Sequence, residues 1–315
     1  MEEFQVISVQ NLTRKYGDFT AVRSVSFEIP RGQIVGLLGH NGAGKTTTLK
    51  MITGYLEPTE GRVLIGGIDI QQDRLRVQEK IGYLSEQSSL YPEMSVLQYL
   101  DYVAQLRGIP EDRRMQAVRD AVVATDLQPK VGAPIHTLSK GYRQRVGVAQ
   151  AIVHKPEILV LDEPTNGLDP TQILAMRNLI KDLSKSTTVI ISTHIMQEVE
   201  AICDRVLIVL NGKLALDASM AELQKGSMLH LSVNRKFADV SSMIKDISDV
   251  SHVEESGVAQ GDVHHYLLQT ENSAMEKVAS VVAKRVVEQG WDLYRIHHEH
   301  RDLETVFKEV NRGNV

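Results

Sequence analysis

A chain of 315 residues, 42% hydrophobic and with a formal net charge of −5, is long enough for a large core plus a second domain, and its interspersed charges leave no basic field for a nucleic-acid backbone. The single cysteine, Cys203, excludes an internal disulfide and fits a reducing compartment. No apolar run approaches the roughly 20 residues that span a bilayer, and the acidic start Met1-Glu2-Glu3 is unlike a secretory signal, so the sequence reads as a soluble cytoplasmic protein.

Residues 4–31 alternate apolar and polar, with turns at Tyr16-Gly17-Asp18 and Pro30-Arg31-Gly32, which predicts short antiparallel strands. The apolar run Ile34-Val35-Gly36-Leu37-Leu38 leads into GHNGAGKTT, residues 39–47, and a helix is expected from near Lys45. Strand, loop and helix form the context that G-x-x-x-x-G-K-[ST] requires. The glycines let backbone N–H groups approach phosphate oxygens, and the helix turns its positive end to the same anion. Gly39, Asn41, Gly42, Ala43, Gly44 and Thr47 are therefore candidate phosphate contacts. Lys45 would reach the β- and γ-phosphates, and Thr46 would ligate Mg²⁺.

Residues 61–67 predict another strand. From about residue 86 the periodicity turns helical: 94–107 and 111–126 repeat apolar residues at three and four, interrupted by Gly108-Ile109-Pro110 and Gln128-Pro129. This insert, about residues 87–153, carries LSKGYRQR (138–145) at the start of its last long helix. Ile158-Leu159-Val160-Leu161 then has the continuous apolar character of a buried parallel strand and ends in Asp162-Glu163-Pro164. Ligands of open α/β sheets bind at that edge, so Asp162 is placed to hold Mg²⁺ and Glu163 to orient or deprotonate an attacking water. Residues 188–194 form a third buried strand that ends in a polar cluster and His194. A histidine there is more often a core or capping residue than a catalytic one, and it gains weight from sharing an edge with Lys45 and Glu163.

Beyond Asn211-Gly212-Lys213, residues 218–225 predict a short connecting helix and Gly226-Ser227 a boundary. Strands at 228–233, 250–255, 264–269 and 291–298, with helices at 238–247 and 272–289, follow the βαββαβ order of a ferredoxin-like α+β domain, closed by a terminal helix around residues 303–307. Seven of the eleven histidines fall here; His298 and His300 would share a strand face, with His264 or His265 across from them. No acidic or cysteine ligand motif accompanies them, so they read as solvated strand residues, not a metal or pH-sensing site.

The ordered set GHNGAGKTT, LSKGYRQR, ILVLDEPTNGLDP (158–170) and ISTH (191–194) resembles the ATP-binding cassette (ABC) family over roughly residues 4–220, most closely the ATPases of ABC-2-type exporters, including drug-export and gliding-motility relatives. The resemblance implies an α/β fold: a RecA-like P-loop core with an antiparallel β subdomain and the helical insert, in a domain of residues 4–220 followed by an accessory domain at 228–315. It implies ATP and Mg²⁺ as ligands, Lys45, Glu163 and His194 as catalytic groups, and stacking of Tyr16 on adenine. Ser139 and Gly141 would contact the γ-phosphate of ATP held by the opposite subunit, and Asp169 would lie at the subunit interface. Two departures stand out. LSKGYRQR places Lys140 for the first glycine of the usual LSGGQ and Tyr142 for its glutamine, which puts a charge near a phosphate. Glu86 stands where a Mg²⁺-contacting glutamine is usual, and Gln87 follows, so either could face the metal. The implied partners are an ABC-2-type membrane permease, holding the chain peripherally at the inner face of the cell membrane, and a second ATPase subunit, identical or related. Tyr91, Pro92 and Met94 are candidate permease contacts, although Tyr91 and Met94 could equally seal the insert. The alternative, a soluble ABC ATPase acting on ribosomes or DNA, is disfavoured by the lack of a second cassette or a heptad run.

Overall fold

The computed structural model describes residues 5–87, 89–223, 228–247, 249–256, 261–270, 275–299 and 303–311. Residues 5–30 form one long hairpin of β1 (Gln5–Tyr16) and β2 (Phe19–Pro30), each of twelve residues, where short strands were expected. The polar positions Asn11 and Ser24 do not end the strands. They take positive φ (50° and 49°), and the register shifts around them absorb the irregularity as bulges. This hairpin belongs to an antiparallel sheet of order β2-β1-β4-β5, completed by β4 (Glu60–Ile65) and β5 (Ile68–Asp69).

The second sheet holds the apolar runs. β3 (Ile34–Leu38) leads through the phosphate loop to α1 (Lys45–Ile52); α2 (Arg74–Glu79) precedes β6 (Ile81–Leu84). The insert folds as α3 (Val96–Leu106), α4 (Glu111–Ala124) and α5 (Lys140–Ile152), with its own core of residues such as Leu100, Val118, Leu127 and Val146. Ser95 opens α3 with a full capping box, its side chain accepting from Gln98 N–H while Gln98 accepts from Ser95 N–H. The chain re-enters the sheet at β7 (Ile158–Asp162), crosses by α6 (Pro170–Ser184) to β8 (Thr188–Thr193), and by α7 (Met196–Ile202) to β9 (Arg205–Leu210), which turns into β10 (Lys213–Ser219).

The order is β10-β9-β3-β8-β7-β6, with β3, β6, β7, β8 and β9 parallel. Every residue of β3, β7 and β8 is buried, as in a sheet covered on both faces. Register fixes the consequence for function: Leu38 pairs with Thr193 and Asp162 with Ser192, so the phosphate loop, Asp162-Glu163 and His194 leave three adjacent strands at one edge.

The chain divides into two compact units, Met1–Ala218 and Ser219–Val315. In the second, α8 (Met220–Leu223) precedes β11 (Met228–Val233), α9 (Phe237–Ile244), β12 (Val250–Glu255), β13 (His264–Thr270), α10 (Met275–Glu288), β14 (Leu293–Glu299) and α11 (Leu303–Asn311). Its sheet is antiparallel with the order β12-β13-β11-β14, the ferredoxin-like arrangement. β11 lies between β13 and β14, so His264 and His265 are not across from the β14 histidines. His297 instead pairs with His230 of β11, their rings stacked at 4.7 Å. The side chains of His298 and His300, like the Gly226-Ser227 boundary, lie outside the described residues. Among the described residues no group of three or more His, Cys, Asp or Glu could hold a metal.

Candidate active site at the parallel-sheet edge

Lys45 begins α1 and folds back over the loop it closes. Its ammonium donates to the carbonyls of Gly39 (2.8 Å) and His40 (3.4 Å) and lies 3.3 Å from Glu163 Oε1, with both side chains nearly buried at 6% and 7% exposure. Such a pair is costly to break from one side only, because the remaining charge is left buried. Glu163 adopts φ +49°, a strained region for a residue with a Cβ. Ser192 compensates from the neighbouring strand: Glu163 N–H donates to its Oγ and to its carbonyl, both at 3.1 Å. This bend turns the carboxylate toward Lys45 and toward His194, whose Nδ1 is 2.9 Å from Glu163 Oε2. A carboxylate can only accept, so Nδ1 carries the proton in this contact and Nε2 is left for a further partner.

Asp162 is fully buried at the end of β7. Its Oδ1 accepts from Thr46 Oγ1 (3.2 Å) and from Ser192 Oγ, whereas its buried Oδ2 has no hydrogen-bond partner. A buried carboxylate oxygen left unsatisfied beside a hydroxyl is the hard-oxygen donor set that Mg²⁺ prefers. Below this edge, burial first and then the charges of Asp162 and Glu86 push the Tyr83 phenol well above its usual range.

A cleft of about 330 Å³ opens over these groups. Tyr16, Asn41, Gly42, Gly44, Lys45, Thr46, Thr47, Glu86 and Glu163 line it, together with Phe19, Ala21 and His40. Gly39 contributes its carbonyl to Lys45, and Ala43 is buried with its N–H on His40 O. Glu86, not Gln87, faces the cleft and accepts from Asn166 Nδ2 at 3.4 Å. Tyr16 is half exposed where it lines the cleft, with the Arg14 guanidinium 4.7 Å from its ring centroid.

Residues 22–166 match the family described as "ABC transporter". The bacitracin transport ATP-binding proteins of Enterococcus faecalis and Bacillus licheniformis are 30% and 32% identical to this chain, each over 98% of it and over 97% and 98% of their own lengths. The chain belongs to the ABC transporter ATP-binding proteins. The dimeric structure of a bacterial ABC transporter cassette superposes with a TM-score of 0.62 at 25% identity, covering 68% of this chain and 98% of that one. The protein is thus an ABC ATPase, the ATP-binding subunit of a transporter.

Within this cassette, Ser139, Gly141 and Asp169 stand outside the cleft. Ser139 caps α5, its Oγ accepting from Tyr142 N–H at 3.4 Å, and Asp169 caps α6, its Oδ1 accepting from Gln172 N–H at 2.9 Å. The two helix starts interlock. A Cβ at Gly141 would come 2.8 Å from Gln172 Cδ, and one at Gly167 would overlap Lys140 Nζ. Lys140, expected beside a phosphate, therefore lays its ammonium against the Asn166-Gly167-Leu168 turn of its own chain. Ser139, Gly141, Tyr142, Leu168 and Gln172 border a second cavity of about 540 Å³. Tyr142 packs partly into the insert core with Lys130 Nζ 5.7 Å from its ring centroid. Met94 also packs against that core, whereas Tyr91 is 52% exposed, its ring edge-on to Tyr102.

Sequence reasoning missed Ser192 and Glu198. Two hydroxyl residues closing an otherwise apolar strand, Ser192-Thr193, were the available signal for the first.

Proposed function

We propose that this chain hydrolyses ATP as the motor of an ABC-2-type exporter, closing with a second ATPase subunit, identical or related, around two ATP molecules and driving a separate permease at the inner face of the cell membrane. The observation that carries it is Glu163, which meets Lys45 and His194 at one edge while Asp162 Oδ2 stands unpartnered beside Thr46. A triphosphate entering the cleft competes with Glu163 for the Lys45 ammonium, and the displaced carboxylate is free to take the proton of the attacking water. His194 orients Glu163 through Nδ1 and turns Nε2 to the γ-phosphate. Thr46 and Asp162 would hold Mg²⁺, with Glu86 at the rim; the ion supplies neutralisation of phosphate charge.

Tyr16 stacks on adenine. Gly39 through Thr47 give the loop amides. Ser139, Gly141 and Asp169 lie outside this cleft, which supports their use by the opposite subunit, as does the dimeric cassette of the same fold. A transport role is supported by the two relatives named for bacitracin transport, and the outward direction by the resemblance of the motif set to ABC-2-type exporters. Reliance on a separate permease is in keeping with the helices: among the described residues none is long and apolar enough to cross a membrane. The half-exposed Tyr91, with Pro92, offers the permease a contact on the insert. Glu163→Gln, measured by ATP titration and phosphate release, is expected to keep ATP binding and lose turnover by about 100-fold or more; unchanged turnover removes Glu163 from catalysis.

A further inference from the structure

Glu198, in α7, is a carboxylate only 3% exposed that the chemistry above leaves unused. Its Oε1 accepts from Thr165 Oγ1 and its Oε2 from Thr193 Oγ1 (2.9 Å). Thr165 follows Glu163 by two residues and Thr193 immediately precedes His194; both are buried, at 3% and 1%. The pairing of β7 with β8 ends at Asp162 and Ser192, so the catalytic pair stands just past the last rung of the sheet. There Glu198 replaces the ladder with a side-chain bridge.

The turn beneath His194 is fixed by the same group. Thr193 Oγ1 also accepts from Ile195 N–H (3.1 Å), and Glu198 N–H donates to Ile195 O (3.1 Å). Among the described residues no cation pairs with Glu198. A buried carboxylate held by hydroxyls alone is a poor way to gain stability, since apolar packing of equal volume does as well or better. What it supplies is geometry, and Glu163 at positive φ needs surroundings that hold it there.

We propose that Glu198 is a positioning residue for ATP hydrolysis, bridging Thr165 and Thr193 so that Glu163 and His194 stay aligned. This rests on the catalytic roles proposed above for that pair. Glutamine at 198 offers one acceptor in place of two, and valine at 165 removes one donor, while serine at 165 keeps it.

The full chain is compared as wild type, Glu163→Gln, Glu198→Gln, Thr165→Val and Thr165→Ser, with ATP affinity by calorimetry, turnover by phosphate release, and melting temperature. Glu198→Gln and Thr165→Val are expected to lower kcat about 10-fold or more with ATP Kd within about 2-fold of wild type, and Thr165→Ser to stay near wild type. Wild-type kcat in both, with Glu163→Gln inactive, overturns the bridge and leaves the catalytic assignment intact. So does a kcat loss matched by lost ATP binding and melting temperature. An active Glu163→Gln instead overturns the catalytic role itself. Should Glu198→Gln fail to fold, equal kcat in Thr165→Val and Thr165→Ser overturns the bridge.

Discussion

At the scale of residues, the edge of the parallel sheet shows one carboxylate satisfied and one not. Asp162 and Glu163 are adjacent in sequence but face different partners because the φ of Glu163 turns the chain between them. Gly141 allows a clean separation of packing from trans contact. The nearest atoms a methyl there would meet are Cδ and Oε1 (2.8 Å) and Cγ (3.2 Å) of Gln172, a flexible side chain that can swing aside, and alanine suits a helix better than glycine. Gly141→Ala is therefore expected to change unfolding stability by less than about 0.5 kcal/mol and to lower turnover about 10-fold or more, as read by denaturant titration and phosphate release. A large stability loss would assign Gly141 to packing. The phosphate loop and Asp162-Glu163 were legible because glycines around a lysine and paired acids have few other uses at a strand end, and His194 only because its strand ends at the same edge. Glu198 was not: its partners lie 33 and 5 positions away, and only the register of β7 against β8 brings them to one carboxylate.

At the scale of elements, His154 clamps the end of α5 to the edge strand β6, its Nε2 3.2 Å from Ile81 O and its Nδ1 buried with no partner. Burial, and then the positive Arg107, hold its pKa down at about 4 against the opposing pull of the Ile81 carbonyl. The unfolded chain takes up a proton near 6.5, so the neutral ring stabilises the fold fully above that pH. That contribution is lost as the pH falls toward 4. Melting temperature followed from about pH 7 to about pH 4.5 should fall less steeply in His154→Gln than in wild type; parallel curves would show that His154 carries none of the acid sensitivity. The strands β3, β7 and β8 were readable because burial on both faces gives each an unbroken apolar centre, with polar residues confined to the ends of β7 and β8. α2 was not, since six residues with only Val77 buried present no period. The length of β1 and β2 was not legible, since bulges at Asn11 and Ser24 interrupt the strict alternation that would mark one long strand.

At the scale of the whole molecule, the cassette carries its nucleotide cleft and its signature helix at separate places, joined through the interlock of Lys140 with Gly167 and Gln172 with Gly141. A helix start whose Ser139 and Gly141 lie away from their own cleft acquires a use when a second subunit brings its ATP to it. The second unit adds the ferredoxin-like sheet expected from βαββαβ, and that same order puts β11 between β13 and β14, which the expectation of His264 or His265 across from the β14 histidines overlooked. Pairing around ATP is what would bring Ser139 and Gly141 to a phosphate and Asp169 to the subunit interface. Sedimentation velocity of Glu163→Gln with Mg²⁺, with and without ATP, tests it most directly. A monomer that becomes a dimer on adding ATP, and returns to monomer when Ser139→Arg is added, is the expected result; a monomer at saturating ATP contradicts it.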